Sequence, residues 1–192
     1  MTAPSPSAPM TATEYLAWER AQPLKHEYHF GEIFAMSGAS LRHNAIAAAV
    51  IAELAVQLRG RGCRVLTSDQ RVAAPRGQRY VYPDATVVCG AAQVQPGELD
   101  VLENPSTIVE VLSPSTEAYD RGIKWEGYRR VPTVVDYLLF SQDEARIEQY
   151  QRQADGAWRY QVHEAGNNVV LTNGAQLSVD AIYAGVFELG GE

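Results

Sequence analysis

No stretch of this 192-residue chain stays apolar for the roughly 18 residues that suggest a membrane-spanning helix. The longest candidate, Ala45 to Val56, is interrupted by Glu53 and carries helical periodicity. The opening MTAPSPSAPM has neither a basic start nor a following apolar stretch, which excludes a secretory signal, and residues 1–10 read as a disordered leader. Cysteine is scarce. Cys63 and Cys89 are too few for a disulfide framework and lack zinc-ligand spacing, so two buried thiols in a reducing cytoplasm are expected. Excess positive charge is missing as well: the net charge is −7. That balance disfavours a broad polyanion-binding surface but leaves room for a local basic groove.

What is present suits one globular domain. Hydrophobic residues make up 46% and charged ones 20%, enough apolar content for a buried core over residues 11–192 and too little charge for a disordered chain. Arg59, Arg61 and Arg64 form one basic group and Arg121, Lys124, Arg129 and Arg130 another, each equally readable as a solvated face.

Thr11 followed by Glu14 is a capping box opening a helix that Pro23 closes. KHEYHF and EIFAM alternate around Phe30-Gly31 and read as a β-hairpin, followed by a polar turn over Ser37–Ser40. From Leu41 to Leu58, Ile46, Ala49, Val50 and Leu54 recur at helical spacing, and Gly60 and Gly62 end the pattern. CRVLTSD, QRVAA and RYVYPDATVVC read as strands, the last ending in a continuous apolar run as a buried central strand does. After a loop from Gly90 to Pro105, STIVEVL is a second buried strand, and the helix after it runs to about Arg130, where Pro132 stops it. VVDYLLF, ARIEQYQR, AWRYQVH and VVLT follow as strands, and LSVDAIY as a short helix.

Asp84 in VYPDATVV and Glu110 in TIVEVL are acids inside otherwise apolar strands. A buried carboxylate without a partner is costly, so each implies an ion pair or a metal. Neighbouring strands lie about 5 Å apart, close enough for two carboxylates to share one cation. Pro83 suits a bulge that re-aims Asp84 into a cleft.

The order Pro83-Asp84, Glu110-Val111-Leu112-Ser113-Pro114-Ser115-Thr116, Asp120-Arg121-Gly122 with Lys124, and Tyr128-Arg129-Arg130 resembles the Uma2 family (DUF820) of restriction-endonuclease-like proteins. Glu27 to Asn44, Ser68-Asp69 and Ile147-Glu148-Gln149-Tyr150 also fit, and the likeness spans roughly residues 12 to 185. The resemblance implies a single-domain α/β fold of the PD-(D/E)XK nuclease type, a mixed β-sheet flanked by helices with metal ligands on two adjacent strands. It makes Asp84 the motif aspartate and Glu110 the second acid. The simple pattern would put lysine at position 112, where this chain has Leu112; the resemblance moves the lysine to Lys124, which by itself reads as a solvent-exposed helix cation. It also implies a site role for Glu27, whose plain reading is an exposed hairpin acid paired with Lys25.

Further candidates are weaker. Asp69 is a ligand or a turn former, His43 a general base or a packed histidine, and Tyr128, four residues after Lys124, an orienting or a packing residue. His26, His29 and His163 lack metal-ligand spacing, and Trp18, Trp125 and Trp158 read as core or interface.

The expectation is a cytoplasmic endonuclease hydrolysing DNA phosphodiesters, with Mg²⁺ or Mn²⁺ on Asp84, Glu110 and the Val111 carbonyl, Lys124 stabilising negative charge, and Glu27 supporting the metal. DNA and a second copy of the chain are the expected partners, with neither a membrane nor an organic cofactor. The alternative is a non-catalytic module that keeps the fold and binds nucleic acid or protein; the acidic balance and the lack of an obvious recognition element favour it.

Overall fold

A computed structural model describes residues 9–36, 38–73 and 77–190; the leader up to residue 8 and Ser37 of the polar turn lie outside the described residues. Thr11 caps α1 (Ala12–Glu19), its hydroxyl accepting from the Glu14 amide while the Glu14 carboxylate accepts from the Thr11 amide, the reciprocal pair that its sequence announces. Before it, Met10 is tied to the hairpin by its amide, which donates to the Gly31 carbonyl at 3.1 Å. The hairpin is β1 (His26–His29) and β2 (Glu32–Ala35). Phe30 and Gly31 both take positive φ, 50° and 98°, as a two-residue turn between right-twisted strands requires.

Ser40 caps α2 (Leu41–Gln57), its hydroxyl accepting from the His43 amide at 3.0 Å. Then come β3 (Cys63–Thr67), β4 (Arg71–Ala73), β5 (Arg79–Val81), β6 (Ala85–Cys89), β7 (Val101–Leu102) and β8 (Thr107–Val111). A broken helix follows: α3 (Glu117–Tyr119), a π-helical turn over Asp120–Lys124, and α4 (Trp125–Tyr128). The chain closes with β9 (Asp136–Phe140), β10 (Arg146–Arg152), β11 (Trp158–Glu164), β12 (Asn168–Val170), β13 (Gln176–Ser178) and α5 (Val179–Tyr183).

These strands make a mixed α/β fold with more than one sheet. One sheet has the order β2-β1-β5-β4-β7, another β11-β10-β9-β8-β6-β3, and β12 with β13 forms a small hairpin. β8 pairs with β9 and β4 with β7 in parallel; the other pairings are antiparallel. The segment RYVYPDATVVC is therefore two strands, not one. The chain leaves the first sheet at Val81, crosses through Tyr82-Pro83-Asp84 and enters the second at Ala85. Proline has no N–H to give a ladder, so Pro83 is compatible with the crossing and not with a continuous strand. The helix read as continuous to Arg130 is likewise interrupted, and β7 lies inside the segment read as a loop.

Alternation along β8 divides the core. Val109 and Val111 face α2 and α5, packing with Ile46, Val50, Leu54, Phe140 and Ile182. Ile108 faces the other way, into a cluster with Tyr128, Val131, Tyr137 and Leu139 that reaches Val72 and Val81 of the other sheet. Glu110 shares the Ile108 face by the two-residue period. It thus points to where the two sheets and α4 meet.

The cysteines correct the expectation of free thiols. Cys63 and Cys89 stand opposite each other in the β3–β6 register and are joined as a disulfide. Sequence scarcity says how many frameworks are possible, but not which residues a ladder will bring together.

Leu54 is fully buried in the α2-facing core, whereas Val56, two residues on, is 65% exposed. We expect Leu54→Ala to lower the unfolding free energy by about 2–5 kcal/mol and Val56→Ala to change it by less than about 0.5 kcal/mol. Urea unfolding of the two variants measures the contrast.

Candidate active site

Lys124 ends the π-helical turn, and its side chain is only 8% exposed. Its Nζ lies 3.2 Å from Glu110 Oε2, 3.2 Å from Glu27 Oε1 and 3.1 Å from Asp120 Oδ1. Three elements supply these acids: β8 holds Glu110, β1 holds Glu27, and the turn itself holds Asp120. A five-residue hydrogen-bond period turns Asp120 and Lys124 toward the same interior point, and such turns recur at functional sites. The Tyr119 ring lies beside the ammonium, with its centroid 5.6 Å from Nζ.

The Glu110 and Glu27 carboxylates each have a second anchor, and Asp120 is held through its backbone. The Tyr128 hydroxyl donates to Glu110 Oε1 at 2.8 Å, and the Tyr82 amide donates to Glu27 Oε1 at 3.1 Å. The Tyr137 hydroxyl donates to the Asp120 carbonyl at 2.9 Å. Asp84 sits one residue before β6, and continuation of the β6–β8 register from the Ala85–Val109 pair puts it opposite Glu110. Its Oδ2 accepts from the Val111 amide at 2.7 Å and lies 3.3 Å from His43 Nε2 in the first turn of α2. The Gln142 amide joins the same end of the sheet to α2, donating to the Leu112 carbonyl at 2.5 Å and accepting from the Ser40 cap hydroxyl.

Burial pushes Glu110 well above the usual carboxylate range; Lys124 pulls it down, while Asp120, Asp84 and Glu27 push it further up. For Lys124 burial works against the charge, but Glu110, Glu27 and Asp120 outweigh it and hold the ammonium well above the ordinary lysine value. Burial, with Glu110 next, also raises Tyr128, keeping its hydroxyl a donor. Three carboxylates, of Glu27, Glu110 and Asp120, thus face one ammonium, with Asp84 adjoining Glu110, an imbalance that a divalent cation would relieve.

Among the described residues no group of three or more His, Cys, Asp or Glu side chains forms a ready cage for a metal. The donor chemistry nevertheless suits a hard cation that keeps much of its water: Mg²⁺ is commonly bound through one or two carboxylates. Asp84 and Glu110, on neighbouring strands, are such a pair.

Most of the residues singled out from sequence come together. Glu27, Glu110, Lys124 and Tyr128 touch one another, and Asp84 and His43 adjoin them through the Val111 backbone. Asp69 does not join them; it is exposed and pairs with Lys25 at 2.5 Å. Lys25 is thereby taken from Glu27, which is buried and not the exposed hairpin acid of its plain reading. Lys124 is likewise not a solvent-facing cation. Of Val111, the amide is what contacts Asp84. Asp120, Tyr119 and Gln142 were not assigned roles from sequence. Asp120 had a signal, since it precedes Lys124 by one i,i+4 step. Gln142 had none.

A sequence profile of the Uma2 family, described as "putative restriction endonuclease", matches residues 12–183. The chain is 38% identical over 190 residues to slr1290, an uncharacterized protein of Synechocystis sp., covering 97% of this chain and 99% of that one. It is 34% identical over 149 residues to another uncharacterized Synechocystis protein, sll1609, covering 78% of this chain and 84% of that one. A crystal structure from Anabaena variabilis, described as a putative nuclease belonging to DUF820, superposes with a TM-score of 0.75 over 93% of this chain and 100% of that chain; at 18% identity the likeness concerns the fold.

The raised Glu110 carboxyl has a consequence for stability. Above about pH 4.3, the ordinary glutamate value, the folded chain keeps a proton that the unfolded chain has released, so unfolding free energy falls as pH rises. In metal-free buffer we expect wild type to lose stability as pH rises above about 4.5 and Glu110→Gln to lose less. Urea midpoints across that window check this; parallel profiles would mean that Glu110 titrates as an ordinary surface acid.

Proposed function

Because the chain belongs to the Uma2 family, we propose that it is a divalent-metal-dependent endonuclease hydrolysing phosphodiester bonds of DNA. The observation that carries this reading is the crowding of Glu27, Glu110 and Asp120 around the single ammonium of Lys124, with Asp84 beside Glu110. A fold needs no such cluster for stability, since a buried charge network is at best a modest gain over apolar packing. The cluster is explained if a cation and a phosphate complete it.

In this reading Asp84 and Glu110, with the Val111 carbonyl, would hold Mg²⁺ or Mn²⁺. When bound, such a cation supplies Lewis acidity at phosphoryl oxygens and a lowered pKa for an attacking water. Lys124 stabilises the negative charge that grows on the phosphate, its ammonium kept protonated by the acids around it. Glu27 holds that ammonium from the other sheet and supports the cation's waters. Tyr128 fixes one Glu110 oxygen, and His43 stands where it can orient Asp84. Asp69 has no part in it. The enzyme would work in the cytoplasm as a homodimer, without an organic cofactor.

One observation favours the second reading, a non-catalytic module. Both Glu110 oxygens already have partners, in Tyr128 and Lys124, so the acid is satisfied without a metal.

Mn²⁺ titration followed by calorimetry separates the two. We expect one-site binding that is tighter at the higher of two pH values, because Glu110 must give up its proton to become a ligand, and that is lost in Asp84→Ala/Glu110→Ala. Absence of binding by wild type at both pH values would favour the module. For cleavage of supercoiled plasmid, Lys124→Met is expected to lower the rate about 10²- to 10³-fold with metal binding retained. Full cleavage by a clean Asp84→Ala preparation would overturn the assignment.

A further inference from the structure

The net charge of −7 hides an uneven distribution. Four arginines gather at the C-terminal end of α4 and beside it. Arg129 and Arg130 are surface residues, 46% and 59% exposed in their side chains, and they share one carboxylate, Glu126. Arg152 of β10 reaches the same corner, its guanidinium donating to the carbonyls of Arg129 at 2.7 Å and Val131 at 3.1 Å while lying over the Trp158 ring at 4.5 Å. Arg79 of β5 packs against Gly127, where a Cβ would come within 2.6 Å of its Nη1, and donates to the Ile123 carbonyl at 2.9 Å. Burial and the charge of Arg130 push the Arg79 guanidinium down from its ordinary value, so the two are close enough to repel. Among the described residues neither Arg79 nor Arg152 forms an ion pair with a carboxylate. Four cations against one anion is a local excess of positive charge on an acidic protein.

This excess adjoins the buried site. Arg79 and Lys124 line one narrow cavity, with Tyr119, Ile123 and Tyr128 between them. The cavity has a volume of about 10 Å³, room for roughly a single water. A phosphate cannot pass through it, so a polyanion at this wall contacts the protein with phosphates flanking the one that reacts. The other basic group stands elsewhere. His43, at the start of α2, faces Asp84, whereas Arg59 and Arg61 follow its end, about 24 Å away along a 17-residue helix.

We propose that Arg79, Arg129, Arg130 and Arg152 form a docking surface for the phosphate backbone of duplex DNA beside the Lys124 site. The choice of DNA as the polyanion rests on the nuclease reading; the surface itself rests on the arginine geometry. Repulsion between Arg79 and Arg130 is relieved when a backbone phosphate lies against them, and arginine's planar fork suits phosphate oxygens.

The test is fluorescence anisotropy of a labelled 20-base-pair duplex, in EDTA, over a range of KCl concentrations. Without metal no cleavage occurs, so binding is read apart from catalysis. Arg129→Ala/Arg130→Ala removes exposed side chains while the Arg129 carbonyl still serves Arg152, and an unchanged urea midpoint verifies the fold. We expect the double variant to weaken binding about tenfold per lost contact at 0.1 M salt and to reduce the salt slope by about two. Arg59→Ala/Arg61→Ala is expected to bind as wild type does. No binding by wild type, or a loss confined to the Arg59/Arg61 variant, overturns the surface whether or not Mn²⁺ binds. Failure of Mn²⁺ binding with the Arg129/Arg130 effect intact overturns the nuclease reading alone.

Discussion

One ammonium organises this protein. Lys124 brings a positive charge into a place where water is excluded, and a lone buried cation is not tolerated. Glu110 from one sheet, Glu27 from the other and Asp120 from its own helical turn answer it at 3.1–3.2 Å. Since these acids come from three elements, the pairing also dictates how the two sheets and the broken helix sit together. Removing any of them leaves charge uncompensated among the others, so the network is a constraint on the fold.

The same constraint explains local irregularities that would otherwise look like defects. A regular helix through Asp120–Lys124 gives way to a π-helical turn, which aligns the aspartate with the lysine it neutralises. The strand around Pro83 breaks, leaving Asp84 at the crossing between sheets, where it can accept from the Val111 amide and approach His43. Tyr82, in the same crossing, spends its amide on Glu27. Departures from ideal geometry are concentrated where the charged side chains are. That is the pattern expected when side-chain placement, not backbone regularity, is under constraint.

Electrostatics at the larger scale follow a similar division. Acids predominate over the whole chain, yet the wall outside Lys124 is arginine-rich. The interior is therefore over-supplied with negative charge and its rim with positive charge. The chain has only two lysines among its sixteen basic residues, and one of them is buried in the acidic cluster.

How much of this was legible in the sequence depends on whether the signal was local. The capping box at Thr11, the Phe30-Gly31 hairpin, the α2 periodicity and the anomaly of acids inside apolar strands are written in neighbouring residues, because capping, turn geometry and amphipathicity act over a few positions. The family resemblance also brought Glu27 and Lys124 under suspicion. What the sequence could not decide was partnership across long separations: that Lys25 pairs with Asp69 and frees Glu27, that Cys63 meets Cys89 in a ladder, that Arg79 lies against Gly127, and that one apparent strand serves two sheets. Those depend on register and on the packing of layers, where a shift of a single residue turns every side chain to the opposite face. Residue chemistry was set by the chain, and its meeting point by the tertiary structure.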